Sequence, residues 1–407
     1  MLLDCLAGLT PRDYTLPPGV YAKALTLAHA RYLEYFGTAS TSAILFYLVL
    51  RLRIGPRLRD FAERHFRRLA LQTVLFVPPL LALLGLATLP WLLYAHHTSL
   101  QLGISVERWA PWSWDWAKDQ LVSIVIGTPI AWLFCVIVRR GPRRYWLWFW
   151  LASLPLMVAG VYLAPLVLDP MFNRFEPLAI THPELVAPIE EILRNAHVAI
   201  PEDHLFEMIA SEKTNALNAY TTGFGSSKRV VLYDTIIGKE PLPELMTTFG
   251  HELGHYALHH ILWGLLLGAA FLLAGMYVGN RFVEAVLRRY GQRFGIRDAG
   301  DLAALPLFLL FAVGASFLTD PLTNAVSRVI EHQADAYALQ VTGGVVPHPG
   351  YAAARAFQTE GETDLALPDP NPAIVWWMYT HPPVRDRLHF CLSWQDANST
   401  QANPRKP

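Results

Sequence analysis

The stretch that decides the fold is HELGHYALHHILWGLLLGAAFLLAGMYV, residues 251–278. It opens with two histidines four apart and a glutamate between them, and from Ile261 onward it is almost wholly apolar. Positions i and i+4 of a helix share a face, so His251 and His255 can offer imidazole nitrogens to one ion while Glu252 stands beside it. The run behind them approaches the roughly 20 apolar residues needed to cross a bilayer as a helix. A candidate metal motif therefore leads straight into a membrane span, and the site is expected within a helical turn or two of the interface.

A catalytic zinc keeps three protein ligands and one open position, so the motif needs a third donor. His259 continues the same helical face, but at about 1.5 Å rise per residue it lies roughly 12 Å along the axis from His251, out of reach of bonds about 2 Å long. The metzincin pattern is excluded, because the third and sixth positions after His255 hold Leu258 and Ile261 in place of Gly and His. An acidic residue on another helix remains, and Glu331 within NAVSRVIEHQADAYAL is the best candidate. Asp335 follows four residues later and can reach the free N–H of a ligand histidine. The plainer alternative for Glu331 is a surface ion pair with Arg328, three residues before it; on the metal reading Arg328 is a supporting residue beside the site. His260 and His332 each fall one residue off the relevant face and are expected to point to solvent or the interface. Glu252 is the candidate general base, since zinc lowers the pKa of water and polarises a peptide carbonyl, leaving a nearby carboxylate to move the proton.

Composition agrees with a membrane setting. Hydrophobic residues make up 53% and charged residues 16%, far from the soluble average. The 33 basic and 33 acidic residues cancel, which gives no indication of a nucleic-acid partner. Cys5, Cys135 and Cys391 are widely spaced and form neither a Cys-x-x-Cys pair nor a disulfide framework. The amino terminus carries Asp4 and only a short apolar run, so no cleaved signal peptide is expected. Six apolar runs of near-spanning length organise the chain: 35–50, 69–94, 121–138, 145–168, 261–278 and 302–318. The second contains Pro78, Pro79 and Pro90 and is expected to kink or break. The stretch 17–34, with Lys23, His29 and Arg31, is not read as spanning.

The expected organisation is an amino-terminal segment at 1–34, spans at 35–168, a catalytic region at 169–260, two further spans at 261–318, a second catalytic region at 319–395 and a disordered tail at 396–407. The fold class is mainly α: a polytopic helical bundle of about six spans carrying a gluzincin-like zinc peptidase domain with a small β-hairpin or sheet. Connections 51–68, 139–144 and 281–297 hold seven, four and five arginines, whereas 96–120 carries only Arg108 and Lys118. By the positive-inside rule the arginine-rich loops are cytoplasmic and the catalytic regions lie on the opposite side, as expected for a multi-pass protein of a bacterial inner membrane.

Four motifs in order resemble the type I CAAX prenyl proteases and their bacterial relatives: NAYTTGFGSSKRVVLYDTII at 218–237, HELGH at 251–255, SRVIEHQAD at 327–335 and THPPVRDRL at 380–388, with a looser match at 162–178. The resemblance implies one zinc per chain held by His251, His255 and Glu331, with Glu252 as the catalytic carboxylate and Asp335 in support. It implies that Asn218, Ala219 and Tyr220 form a strand that pairs with an extended substrate, as an edge strand can through its backbone hydrogen bonds. It further implies that His381 lies near the metal as an oxyanion stabiliser or ligand. The expected activity is zinc-dependent endopeptidase cleavage of membrane-associated proteins, lipidated or not, at the bilayer. Prenylated proteins are one substrate class; general quality control of membrane proteins is the other. The eukaryotic enzymes look like seven-span proteins, so six spans mark a departure.

Two other classes fit less well. A site-2 protease needs an Asp ligand in an Asn-x-x-Pro-x-x-x-Leu-Asp-Gly type span, and the nearest string, PLVLDP at 165–170, lacks the Asn and the Gly. A transporter or scaffold with structural zinc would want four closed ligands, often cysteine, and no cysteine neighbours these histidines in sequence.

Overall fold

The computed structural model describes residues 12–402. Cys5 and the amino-terminal residues weighed for a signal lie outside them, as do 403–407 of the expected tail. The rest of that tail, from 396, is helical through Ala402.

Among the described residues, six helices are long and apolar enough to cross a membrane. α1 is Pro18–Arg51, α3 Leu69–Leu102, α4 Trp109–Arg140 and α5 Tyr145–Leu163, while the short α2, Ile54–His65, joins the first two. α1 takes up the stretch 17–34, so the boundary at 34 falls inside one helix. Its polar residues do not interrupt it, because a helix satisfies its own backbone whatever its side chains. α3 runs unbroken through its three prolines. In an apolar surrounding no water competes for the remaining ladder bonds, and neighbouring groups can satisfy those that proline frees. α5 passes into a π turn at Ala164–Leu168 and a short helix at Asp169–Phe172. The extra residue of a π turn re-phases the helix, and the chain leaves the bundle there.

The soluble part is built on a four-stranded sheet of order β1-β2-β4-β3, with β1 Phe175–Pro177, β2 Leu205–Met208, β3 Ala219–Thr222 and β4 Arg229–Tyr233. β2 and β4 are parallel, and the β3–β4 pair is an antiparallel hairpin closed by the GFGSSK turn. α6, Pro183–Asn195, and α7, Leu242–Ala257, bury Ile189, Ile192, Leu245, Phe249 and Leu253 against Val230 and Leu232 of the sheet. β3 is left at an edge, beside the HELGH helix.

α8, His260–Phe294, and α9, Leu305–Val341, complete the bundle. α9 has 37 residues, about 55 Å at the usual rise, nearly twice the hydrocarbon thickness of a bilayer. The expected boundary at 318/319 therefore lies inside one continuous helix, and Glu331 rides on the extension of a span. α10, Pro349–Thr363, α11, Pro372–Met378, and α12, Val384–Ala402, close over it. α10 forms within the stretch rich in proline and glycine, with Pro349 tolerated at its first turn.

The arginine-rich connections meet at one end. Arg53 donates to the Arg293 carbonyl at 2.8 Å, Arg139 to that of Gly300 at 2.9 Å, Arg297 pairs with Glu63 at 2.8 Å and Arg59 with Asp301. The 96–120 connection instead joins the soluble part, where Val106 N–H donates to Lys213 O at 2.9 Å and Lys213 pairs with Asp115.

Candidate metal centre and active site

Two helices bring the donors together. α7 carries His251 and His255; α9 carries Glu331 and Asp335. They cross closely because Gly250 and Gly254 face small residues: a Cβ on Gly254 would sit 3.0 Å from Ala334 Cα, and one on Gly250 3.3 Å from Ala338 Cα. The glycine inside HELGH is thus the residue that admits the second helix.

One donor atom from each of His251, His255 and Glu331 lies within 4.8 Å of the others. His251 Nε2 is 3.1 Å from Glu331 Oε2 and 3.1 Å from His255 Nε2, and His255 Nε2 is 3.5 Å from Glu331 Oε1. Donors about 2.0–2.2 Å from a tetrahedral ion lie roughly 3.3–3.5 Å apart, so the triangle has the size of a zinc site. Two further features fit a cation at its centre. Glu331 is a buried carboxylate turned toward both ligand histidines, and two imidazole Nε2 atoms face each other, an arrangement that a shared cation stabilises.

The far side of His251 is firmly tied. Its Nδ1 lies 2.8 Å from Asp335 Oδ1, and Arg387 grips the same carboxylate through Nη2 at 2.6 Å and Nε at 2.9 Å. Burial alone would favour the neutral His251 ring, but hydrogen bonds to Asp335 and Glu331 outweigh it and push the pKa up to about 10. Without a metal a proton holds this site, and an ion must displace it.

His381, half exposed, places Nε2 3.2 Å from Glu331 Oε2, across from the ligand histidines. Arg328 makes no ion pair with Glu331. Its Nη1 donates to the carbonyls of Val375 at 3.0 Å and Tyr379 at 2.6 Å, and Asn324 donates to that of Trp377 at 2.6 Å. Residues 324, 328 and 331 are three or four apart and share a face of α9, so Arg328 holds the segment that delivers His381. For Arg328 the carboxylate loses to two carbonyls presented by the α11 segment.

His260 also departs from expectation. It is buried, and its Nδ1 lies 3.0 Å from His255 Nδ1. Counting helical phase through residue 260 fails because α7 ends at Ala257 and exposed His259 takes the left-handed conformation, φ 57°, which resets the phase of α8. His332 remains exposed and packs its ring on Phe390.

Along β3, Tyr233 N–H donates to Asn218 O at 3.1 Å. Alternation in an antiparallel pair then commits Tyr220 and Thr222 to β4 and turns the backbone N–H and C=O of Ala219 and Thr221 outward. The outward positions are Ala219 and Thr221, while Asn218 and Tyr220 spend their backbone inside the sheet. Thr221 Oγ1 donates to Glu252 O at 2.9 Å, locking the strand to the HELGH helix.

A cavity of about 200 Å³ opens between these elements, lined by Asn218, His251, Glu252, Glu360, Asp364 and Arg387 among others. Burial pushes Glu360 up to about 7 and Asp364 up to about 6, the first partly relieved by Arg387. Arg387 lies in the THPPVRDRL motif at 380–388, but nothing in the spacing of Glu360 or Asp364 marks them beforehand; only the folding of α10 over α7 brings them here.

A model of Peptidase family M48 matches residues 179–395, more than half the chain, and one described as CAAX prenyl protease N-terminal, five membrane helices, matches 17–174. This chain belongs to peptidase family M48. Its relatives include an uncharacterized metalloprotease, YhfN, of Bacillus subtilis, 34% identical over 95% of this chain and 88% of the relative. A CAAX prenyl protease 1 homolog of Arabidopsis thaliana is 27% identical over 87% and 82%. The fold matches the crystal structure of S. mikatae Ste24p with a TM-score of 0.78 at 21% identity, covering 95% of this chain and 93% of that one. This M48 chain is a multi-pass membrane metallopeptidase that acts on peptide or protein. Within residues 17–174 it has four helices of spanning length, α2 being a fifth of only 12 residues.

Proposed function

We propose that this chain is a zinc-dependent endopeptidase that cleaves extended segments of membrane-associated proteins. The observation that carries it is the convergence of His251, His255 and Glu331 donors within 4.8 Å, beside an edge strand whose outward backbone groups belong to Ala219 and Thr221, the Ala219 N–H meeting Asn218 Oδ1 at 2.9 Å. His251, His255 and Glu331 would hold the zinc, which supplies a Lewis acid for the carbonyl and lowers the pKa of water. An extended substrate adds to β3 through Ala219 and Thr221, which fixes its register while side chains drop into the cavity. Glu252, on that cavity wall, takes the proton from the attacking water and returns it to the leaving amine. His381, held by the segment that Arg328 clasps, donates to the carbonyl oxygen as charge develops there.

The site lies at the end of the bundle opposite the joined arginine-rich connections. By the positive-inside rule this supports a catalytic side facing away from the cytoplasm in a bacterial inner membrane. A substrate range wider than prenylated proteins agrees with that placement. Trapping with Glu252→Gln in cells tests it: unprenylated membrane proteins are expected among the trapped species, and capture of prenylated carboxyl-terminal segments alone would overturn it.

A further inference from the structure

The two histidine ligands of the proposed centre are supported in different ways, and the difference falls on a residue to which the motif assigns no role. Ligand histidines almost always engage their second ring nitrogen, which fixes the tautomer and the ring's orientation. His251 does so through Asp335 at 2.8 Å. For His255 the atom facing Nδ1 is a second imidazole nitrogen, His260 Nδ1, at 3.0 Å, with the rings 75° apart. We propose that His260 is the positioning residue that sets the tautomer and aim of His255.

Only one arrangement of protons suits the pair. His255 Nε2 faces Glu331 Oε1 and His251 Nε2, so it must be free of a proton to serve as a donor to the ion. The proton of His255 then sits on Nδ1 and is donated to His260 Nδ1, which must accept. His260 carries its own proton on Nε2, and that atom is buried without a hydrogen-bond partner, although the Gln333 side chain approaches from α9. An unpaired buried N–H disfavours the fold, and so does a left-handed backbone at His259, a residue other than glycine. Both unfavourable features serve to bring a ring back against His255. A neutral partner also differs chemically from Asp335: it orients the ligand without adding negative charge, so the ion keeps more of its charge for the substrate carbonyl.

This inference rests on the metal reading, and the test separates the two. Zinc affinity is measured on the purified full chain in detergent by competition with a chromogenic chelator, alongside melting of the metal-free protein. His260→Phe keeps a ring but removes the acceptor and the unpaired N–H together. It is expected to bind zinc 10–100-fold more weakly while melting no lower than wild type. His260→Asn places an amide oxygen near the position of Nδ1 and is expected to recover affinity to within a few fold. Wild-type affinity in His260→Phe, or equal losses in the Phe and Asn variants, would overturn the proposal. If instead wild type binds no zinc, or His251→Ala binds it as well as wild type, the metal reading itself fails.

Discussion

Asp335→Asn separates what the buried carboxylate does for the fold from what it does for the metal. Asp335 is 3% exposed and receives His251 Nδ1 and two nitrogens of Arg387, whose side chain is itself 11% exposed. The amide keeps the shape but removes the charge that compensates Arg387. Removing one member of a buried pair costs roughly 3–5 kcal/mol. One amide oxygen still accepts a hydrogen bond, so a value near 3 kcal/mol is expected. For a soluble part of this size that lowers the melting temperature by about 6–12 °C. His251 loses its charged acceptor at the same time, which should weaken zinc binding 10–100-fold. Thermal melting and chelator competition read the two effects independently. Arg387→Met added to Asp335→Asn removes the stranded charge, so the double variant should melt above Asp335→Asn alone while zinc affinity stays low. A double variant whose stability loss equals the sum of the single losses would refute the pairing, and unchanged zinc affinity in Asp335→Asn would refute the orienting role.

Gly254→Ala should push α7 from α9, costing about 1–3 kcal/mol as overpacking does and weakening zinc binding, whereas Gly264→Ala, with nothing within 4 Å of the added Cβ, should leave both unchanged. Glu360, held near pKa 7 by burial, binds its proton more tightly folded than unfolded, so its contribution to stability falls as pH rises from about 4 to 7, by on the order of 3 kcal/mol. Glu360→Gln should accordingly melt higher than wild type at pH 8 and equal to it at pH 4; the reverse order would show the carboxyl to be ionised and paired. Because metal-free His251 holds its proton up to about pH 10, zinc loading at pH 7.5 in weak buffer should release about one proton per ion from this ring. Loading without acidification would contradict that.

The sequence made the two ends of the site legible for different reasons. HELGH is local, so helical periodicity alone places His251 and His255 on one face. Glu331 was reachable because few acidic residues sit on a helix in the second catalytic stretch. His260 escaped because periodicity assumes an unbroken helix, and a single left-handed residue at His259 voids that assumption. Glu360 and Asp364 escaped because their partners lie far away in sequence and meet only when α10 packs over α7, whereas Arg387 stood out in its motif but its partner, Asp335, lies 52 residues away. The spans were legible by composition, but not their ends: α1 and α9 run well beyond their apolar runs, since a helix continues wherever its backbone is satisfied.

The central claim is tested most directly by measuring bound zinc and peptide cleavage together on wild type and Glu252→Gln, reconstituted in lipid. Wild type is predicted to hold one zinc per chain and cleave an extended membrane-tethered peptide, and Glu252→Gln to hold the same zinc without cleaving. A zinc-free wild type that still cleaves, or a Glu252→Gln variant that cleaves at the wild-type rate, would contradict the account.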